Sequence, residues 1–190
     1  MARKLTAEDK AARARQRKID TARQYSTGTY VDRYVAPVFQ RMIRAEAGAR
    51  PPGGSPAMVN GVCQYVVRVV GECVCVTCGK VRPWSSAAGE MQTGHFLPSR
   101  RLSILFEEAN VAPQCVWCNQ HRGGALEDYR LWMETVRGTE AIERLTQLKA
   151  TTIRQVTREE LVDMRIGYEA RLKAAEARMN PNTEEVKWHF

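Results

Sequence analysis

Two Cys-x-x-Cys pairs, Cys75/Cys78 and Cys115/Cys118, constrain this chain more than any other feature of it. Pairs so spaced, some tens of residues apart, can bring four thiolates to one tetrahedral zinc ion. Each pair bends the backbone into a knuckle with both sulfurs turned inward. The ion then substitutes for core that a small domain lacks, so binding and folding are coupled. The same spacing argues against a disulfide framework for the six cysteines. Cys63 and Cys73 leave the ligand set open. Cys73 lies two before Cys75, on the same face of a strand, and either residue could displace one of the four. The competing reading makes both of them small buried hydrophobes of a hairpin.

Charge divides the chain. Residues 1–50 hold 12 Lys/Arg against 5 Asp/Glu, whereas residues 51–190 hold 17 against 16, so one segment carries nearly all of the net +8. That is how a nucleic-acid-binding arm looks, with Arg13, Arg15, Arg17 and Lys18 as candidate phosphate contacts; a solvated helix is the alternative. Thr6 to Gln24 reads as a polar helix capped by Thr6, with Glu8 and Asp9 complementing its dipole. Ile19 stands alone among alanines there, so the helix should fray unless something anionic lies against it. No run of about 18 apolar residues exists and the first residues are charged, which points away from a membrane span or signal peptide and towards the cytoplasm.

Val31, Tyr34, Val35, Val38, Phe39, Met42 and Ile43 recur at helical spacing, with Pro37 marking a kink or restart. Ala49 to Pro56 reads as a loop by its Pro and Gly content. Val62–Val70 and Cys73–Thr77 are β-branched runs joined by Gly71-Glu72, which suggests a hairpin. Met91–Leu97 is extended, and a short helix from Val116 ends at Gly123-Gly124. Leu126–Val136 and Glu140–Leu148 read as helices separated by Gly138, with Thr139 as a cap. Thr157-Arg158-Glu159-Glu160 is a capping box opening a long helix with Leu161, Met164, Tyr168 and Leu172 on one face. Asn180–Phe190, with His189, reads as a tail. The expected fold class is α+β: a basic helical arm (1–50), a linker (51–60), a zinc-stapled core (61–135) and a C-terminal helical extension (136–190).

Two of the three histidines flank the knuckles. His95 lies in Gln92-Thr93-Gly94-His95-Phe96, His121 in Cys118-Asn119-Gln120-His121, and Asn110 precedes the second knuckle by five residues. A His, an Asn, then an Asn or His on a helix is the order of an HNH, or ββα-metal, nuclease. The run CVTCGK…GHF…ILFEEANVAPQCVWCNQHRGG…YR resembles the phage NinG family, also called Rap, a group of recombination endonucleases. The resemblance covers roughly the last 120 residues.

That resemblance implies a DNA endonuclease selective for branched intermediates such as Holliday junctions and D-loops. It makes His95 the general base, Asn110 a residue orienting the loop or the ring, and Asn119 a ligand to a catalytic Mg²⁺ or Mn²⁺. His121 and Glu107 are the further candidate ligands, with Glu108 beside them. Related nucleases carry an acidic metal ligand where this chain has Gly94, so the second ligand is open. Arg100, Arg101, Arg122 and Arg130 are candidate phosphate contacts. Symmetric junction cleavage implies a homodimer, with the C-terminal helix as its interface. The rival readings are a zinc ribbon that binds DNA without cutting it, and an HNH nuclease of plain duplex.

Overall fold

The structure is a computed structural model and describes residues 5–85, 90–151 and 155–180; the tail with His189 lies outside these. The chain begins with α1 (Ala7–Arg23), where Thr6 and Asp9 form a capping box. The helix does not stand free. Ile19 and Ala22 are buried against Leu161 and Val162 of the long helix α7 (Arg158–Met179). The anionic partner that its composition calls for is α7 itself: Arg15 pairs with Asp163 at 2.7 Å, Lys18 with Glu169 at 2.8 Å and Arg23 with Glu159 at 3.5 Å. Such surface pairs contribute at most about 1 kcal/mol each. Burying one isoleucine contributes about 1.5–3 kcal/mol, so Ile19 holds the helix and the ion pairs set its register.

Next come α2 (Thr27–Tyr30), a π-turn (Val31–Val35) and α3 (Ala36–Gly48). Pro37 has no N–H to give to the turn before it. The chain widens there, with the Ala36 N–H reaching the Val31 carbonyl, and then restarts with Pro37 in the first turn. Phe39, Met42 and Ala45 of α3 pack on Leu172 and Ala175 of α7. Thus α7, the expected dimer face, buries its apolar residues within its own chain.

The residues read as a linker are a strand. β1 (Gly53–Val59) pairs antiparallel with β2 (Val62–Arg68), Met58 opposite Cys63. The turn is Asn60-Gly61, and both residues have positive φ, 50° and 77°, as a type I′ hairpin requires. The expected pairing across Gly71-Glu72 is absent. Instead β3 (Glu72–Val74) pairs with β4 (Val81–Pro83) around the first knuckle. β5 (Met91–His95) pairs antiparallel with β6 (Val111–Cys115), placing His95 opposite Val111 and Met91 opposite Cys115. The segment between them holds α4 (Leu102–Leu105) and a 3₁₀ turn (Glu108–Asn110).

After β6 come a π-turn (Trp117–His121), α5 (Leu126–Val136) and α6 (Thr139–Thr151). Phe96, Ile104, Tyr129, Trp132, Met133 and Leu145 form the core beneath β5 and β6. Among the described residues no helix is long and apolar enough to cross a membrane.

A candidate zinc centre beside a histidine-asparagine cleft

The first knuckle forms because the Cys75 carbonyl accepts from both Cys78 and Gly79 N–H groups, at 3.4 and 2.9 Å. Gly79 closes it at φ +73°, and a Cβ there would meet Val59 at 2.7 Å. Cys118 sits in the π-turn, where its carbonyl accepts from Gly124 N–H at 2.9 Å. The ligand atoms of Cys75, Cys78, Cys115 and Cys118 all lie within 4.8 Å of one another, and Cys78 Sγ is 3.7 Å from Cys115 Sγ. Tetrahedral zinc with Zn–S bonds of about 2.3 Å sets its sulfurs about 3.8 Å apart. The donor set therefore fits zinc.

Electrostatics agree. A hydrogen bond from Cys78, then one from Thr77, brings the Cys75 thiol down to about 5 against the opposing effect of burial, while Cys78 is pushed up by the same shared hydrogen bond. A cation bound by all four sulfurs displaces their protons, and the opposed shifts of Cys75 and Cys78 suit such a site. Cys63 and Cys73 are not in the cluster. Cys73 donates to the Arg44 carbonyl at 3.2 Å, and burial pushes its thiol up to about 12. Cys63 is half-buried beside the core that contains Met58. Cys73 is buried as the competing reading expects, whereas Cys63 is half-buried and lies on a strand that does not pair with that of Cys73.

Beside this centre His95, at the end of β5, and Asn119, on the π-turn after β6, line one cleft of about 600 Å³ with Thr93, Arg100 and Gly124. The Asn119 amide N–H donates to Gln92 Oε1 at 2.7 Å. That bond fixes the amide plane and leaves its oxygen outside the pair. His95 Nε2 lies 3.1 Å from the Leu105 carbonyl. A carbonyl can only accept, so Nε2 carries the proton and Nδ1 holds the lone pair. Burial lowers the His95 pKa from its ordinary 6.5, against a smaller opposing effect of the Leu105 carbonyl.

Asn110 lies elsewhere. It is fully buried, accepts from Leu97 N–H at 2.8 Å, and donates to the carbonyls of Leu97 and Ile104 at 3.1 and 3.3 Å. It ties down the segment that supplies Leu105, and so positions His95 through backbone.

The expected acidic ligands are not in the cleft. Glu107 accepts from Ala109 N–H in its own 3₁₀ turn and lines a separate cavity with Arg137 and Arg144. Glu108 pairs with Arg171. His121 stacks on Trp117, with ring centroids 5.1 Å apart, and does not line the cleft. Among the described residues the cleft lining contains no carboxylate.

Gly94 has a structural reason of its own. A Cβ there would fall 1.9 Å from Gln114 Oε1. Gln114 is fully buried, with Nε2 donating to Thr77 Oγ1 at 3.1 Å and to the Gly124 carbonyl at 2.8 Å. Thr77 Oγ1 in turn lies 3.3 Å from Cys75 Sγ. A hydrogen-bonded chain thus runs from the cysteine cluster, through Thr77, to Gln114 on β6, the strand paired with the one that carries His95. Tyr129 Oη donates to the Gly94 carbonyl from the other side. Sequence reasoning passed over Gln114 and Thr77 as functional residues, although both lie inside or next to a knuckle. We expect Gly94→Ala to lower stability by about 1–3 kcal/mol through overpacking. Thermal melting of the zinc-loaded protein measures this, and an unchanged Tm would show that Gln114 moves aside freely.

The candidate phosphate contacts divide. Arg15 and Lys18 are engaged with α7. Arg122 pairs with Asp128 and Arg130 with Glu134, both at 2.8 Å, and Arg101 donates to the Lys149 carbonyl. Arg100 lines the cleft, and its pairing with Asp32 at 3.1 Å is between two well-exposed side chains. Arg13 and Arg17 are exposed and their guanidinium groups have no partner among the described residues.

A family model described as "Bacteriophage Lambda NinG protein" matches residues 56–178. The chain belongs to the NinG family. The proteins named "Protein ninG" of Escherichia phage 933W and Escherichia phage lambda are each 35% identical to it over 71 residues, 37% of this chain and 33% of theirs. That of Salmonella phage P22 is 34% identical over the same length. The match thus spans about a third of the length of these curated relatives. No solved structure matches significantly. In this NinG-family chain the matched segment runs from β1 into α7 and holds both knuckles, His95, Asn110 and Asn119. It leaves out α1, α2 and α3.

Proposed function

We propose that this NinG-family chain is a zinc-stapled DNA endonuclease of the HNH, or ββα, type, with His95 as its general base. The observation that carries the reading is one arrangement: a strand pair, β5 and β6, followed by a helical turn, with His95 and Asn119 brought into a single cleft. A neutral imidazole with its Nδ1 lone pair free can take the proton of an attacking water near neutral pH. Arg100 can leave the exposed Asp32 for a DNA phosphate at small cost, because such a pair is weak. Asn110 and Gln92 hold the two cleft side chains in place. The zinc centre stabilises the scaffold and takes no part in the hydrolysis.

A catalytic Mg²⁺ or Mn²⁺ is the usual electrostatic partner of such a base and would stabilise the leaving oxygen. The cleft supplies one amide oxygen, from Asn119, and no carboxylate among its described lining residues. The protein alone does not build a site for a hard cation there.

That same feature favours a second reading, a zinc module that binds DNA without cutting it. The preference for branched DNA rests on the family resemblance. The deciding experiment offers labelled four-way junction, D-loop and linear duplex DNA to the protein, with Mg²⁺, with Mn²⁺ and with neither, alongside His95→Ala. Junction cleavage that disappears in His95→Ala with zinc retained supports the nuclease. Binding without cleavage in all three conditions assigns the chain to DNA recognition.

The arm predicts a salt dependence. Each phosphate contact adds about 0.9 to the slope of log K against log salt on duplex DNA. Replacing both Arg13 and Arg17 by alanine should therefore flatten the slope by about 2. Arg15→Ala should flatten it less than either single replacement, since Asp163 holds that guanidinium through two nitrogens, at 2.7 and 2.8 Å. Binding titrations over a range of salt check this, and an effect of Arg15→Ala equal to that of either single replacement would refute the division.

A further inference from the structure

A second cavity, of about 410 Å³, shares no lining residue with the His95 cleft. Three arginines from different elements border it. Arg50 follows α3, Arg68 ends β2 and Arg137 follows α5. Arg68 is 4% exposed and donates only to neutral acceptors: Ser55 Oγ and the carbonyls of Gly48, Arg50, Pro51 and Val69. Arg137 donates to the Val111 carbonyl and lies over the Trp132 ring at 5.4 Å. Arg50 is exposed, its guanidinium has no hydrogen-bond partner among the described residues, and it stands near enough to repel both others.

Two carboxylates also border the cavity, Glu46 and Glu108, but both are held by Arg171, Glu46 at 2.8 and 2.9 Å. Glu72 acts on Arg68, and Glu107 and Glu108 on Arg137, but among the described residues no carboxylate forms an ion pair with any of the three. Three guanidinium groups around one space repel one another, and an anion relieves that. The walls between them are apolar: Ile43, Val74, Val76, Trp132 and Val136. The volume lies within the range of small-molecule sites and exceeds what a bare phosphate fills.

We propose that this cavity binds a nucleoside monophosphate unit, its phosphate at Arg50 and Arg137 and its base against the apolar wall beside Trp132. Guanidinium groups match a phosphate bidentately, and an indole next to a basic mouth suits a flat base. The unit is either a free nucleotide or the unpaired end of a DNA strand, which share this chemistry. The proposal does not rest on the nuclease reading.

The test is calorimetric titration of the zinc-loaded chain, without Mg²⁺ or Mn²⁺, with thymidine 5′-monophosphate, thymidine, inorganic phosphate and a 5′-phosphorylated oligothymidine. The variants are Arg50→Gln, Arg137→Gln and, as control, His95→Ala. Thymidine 5′-monophosphate should bind more tightly than thymidine or phosphate, and Arg137→Gln should weaken it about tenfold, the loss of one charged hydrogen bond. Arg50→Gln should weaken it while leaving the melting temperature unchanged, because that side chain has no hydrogen-bond partner to lose. His95→Ala should have no effect. Binding of the oligonucleotide alone, equally sensitive to both arginines, identifies a strand end as the source. The proposal is overturned if neither ligand binds, if phosphate binds as well as the nucleotide, or if binding is indifferent to Arg50 and Arg137.

Discussion

Stripping the zinc should lower the melting temperature by roughly 10–20 °C, the largest stability change available to this chain. Structural zinc in small modules contributes about 10–16 kcal/mol of apparent binding energy at neutral pH. Even a loss of about 5 kcal/mol corresponds to that shift for a chain of this size, at about 2–4 °C per kcal/mol. The physical reason lies in β3 and β4, three residues each, which among the described residues pair only with one another. A hairpin so short does not hold itself in water. One backbone hydrogen bond, from Val76 N–H to the Pro113 carbonyl at 3.0 Å, and the Thr77–Gln114 bond join the knuckle to β6, and the contact of Cys75 and Cys78 with Cys115 and Cys118 fastens it.

Through Thr77 and Gln114 the same contact reaches β6, whose backbone pairing holds the strand that bears His95. Loss should therefore reach the cleft as well as the knuckles, while α1, α3 and α7 keep a core of their own. Metal content and melting after chelation measure this. Cys118→Ser should reproduce the effect and Cys63→Ser should not. Zinc-free protein that melts with the zinc-loaded protein would remove the metal from the argument. Acid should also release the ion, since protons compete for the thiolates, so the zinc-dependent part of the stability falls as pH falls.

How much of this was legible in the sequence varies with the kind of signal. The knuckles were, because Cys-x-x-Cys spacing is local covalent geometry. So were Thr6, Thr157 and the Leu126–Val136 helix, whose caps and periodicity act within a few residues. Pairing between strands was misread. Pro51, Pro52, Gly53 and Gly54 look like a loop by composition, yet Gly53–Val59 is an outer strand in which Pro56 is tolerated. Asn60-Gly61, the stronger turn signal, was passed over for Gly71-Glu72. The basic arm was legible as charge. That half of its candidate contacts face acids on α7, about 150 positions away, was not, since α7 carries basic residues too and its acidic side shows only once it packs.

The cleft shows the same limit. The motif placed His95 and Asn119, whereas the reason for Gly94 is a side chain twenty residues further on, Gln114, that fills the space above it. Glu107 recommended itself by position in the motif, but the 3₁₀ turn directs it to another cavity. A pattern along the chain carries residue type and order. Which way a loop carboxylate turns is decided by packing.

His95→Ala should reduce DNA cleavage by about 10²- to 10⁴-fold, the usual contribution of a positioned base, with zinc content and melting little changed. The pH profile is the sharper readout. A base must be unprotonated to act, so activity falls as pH drops through the pKa of His95. Burial lowers that pKa from 6.5, and the acid limb of kcat/KM should therefore fall below pH 6.5. Acid should also weaken the fold in the same window. The unfolded chain takes up the proton near 6.5 and the folded chain only at lower pH, so stability is lost as pH falls below about 6.5. His95→Gln should abolish the acid limb of activity and remove the His95 share of the acid dependence of stability, leaving the zinc-dependent share. An acid limb above 6.5, or one that persists in His95→Gln, would assign the proton to another group. Full activity in His95→Ala would remove His95 from the chemistry and leave the cleft as a DNA-contacting surface.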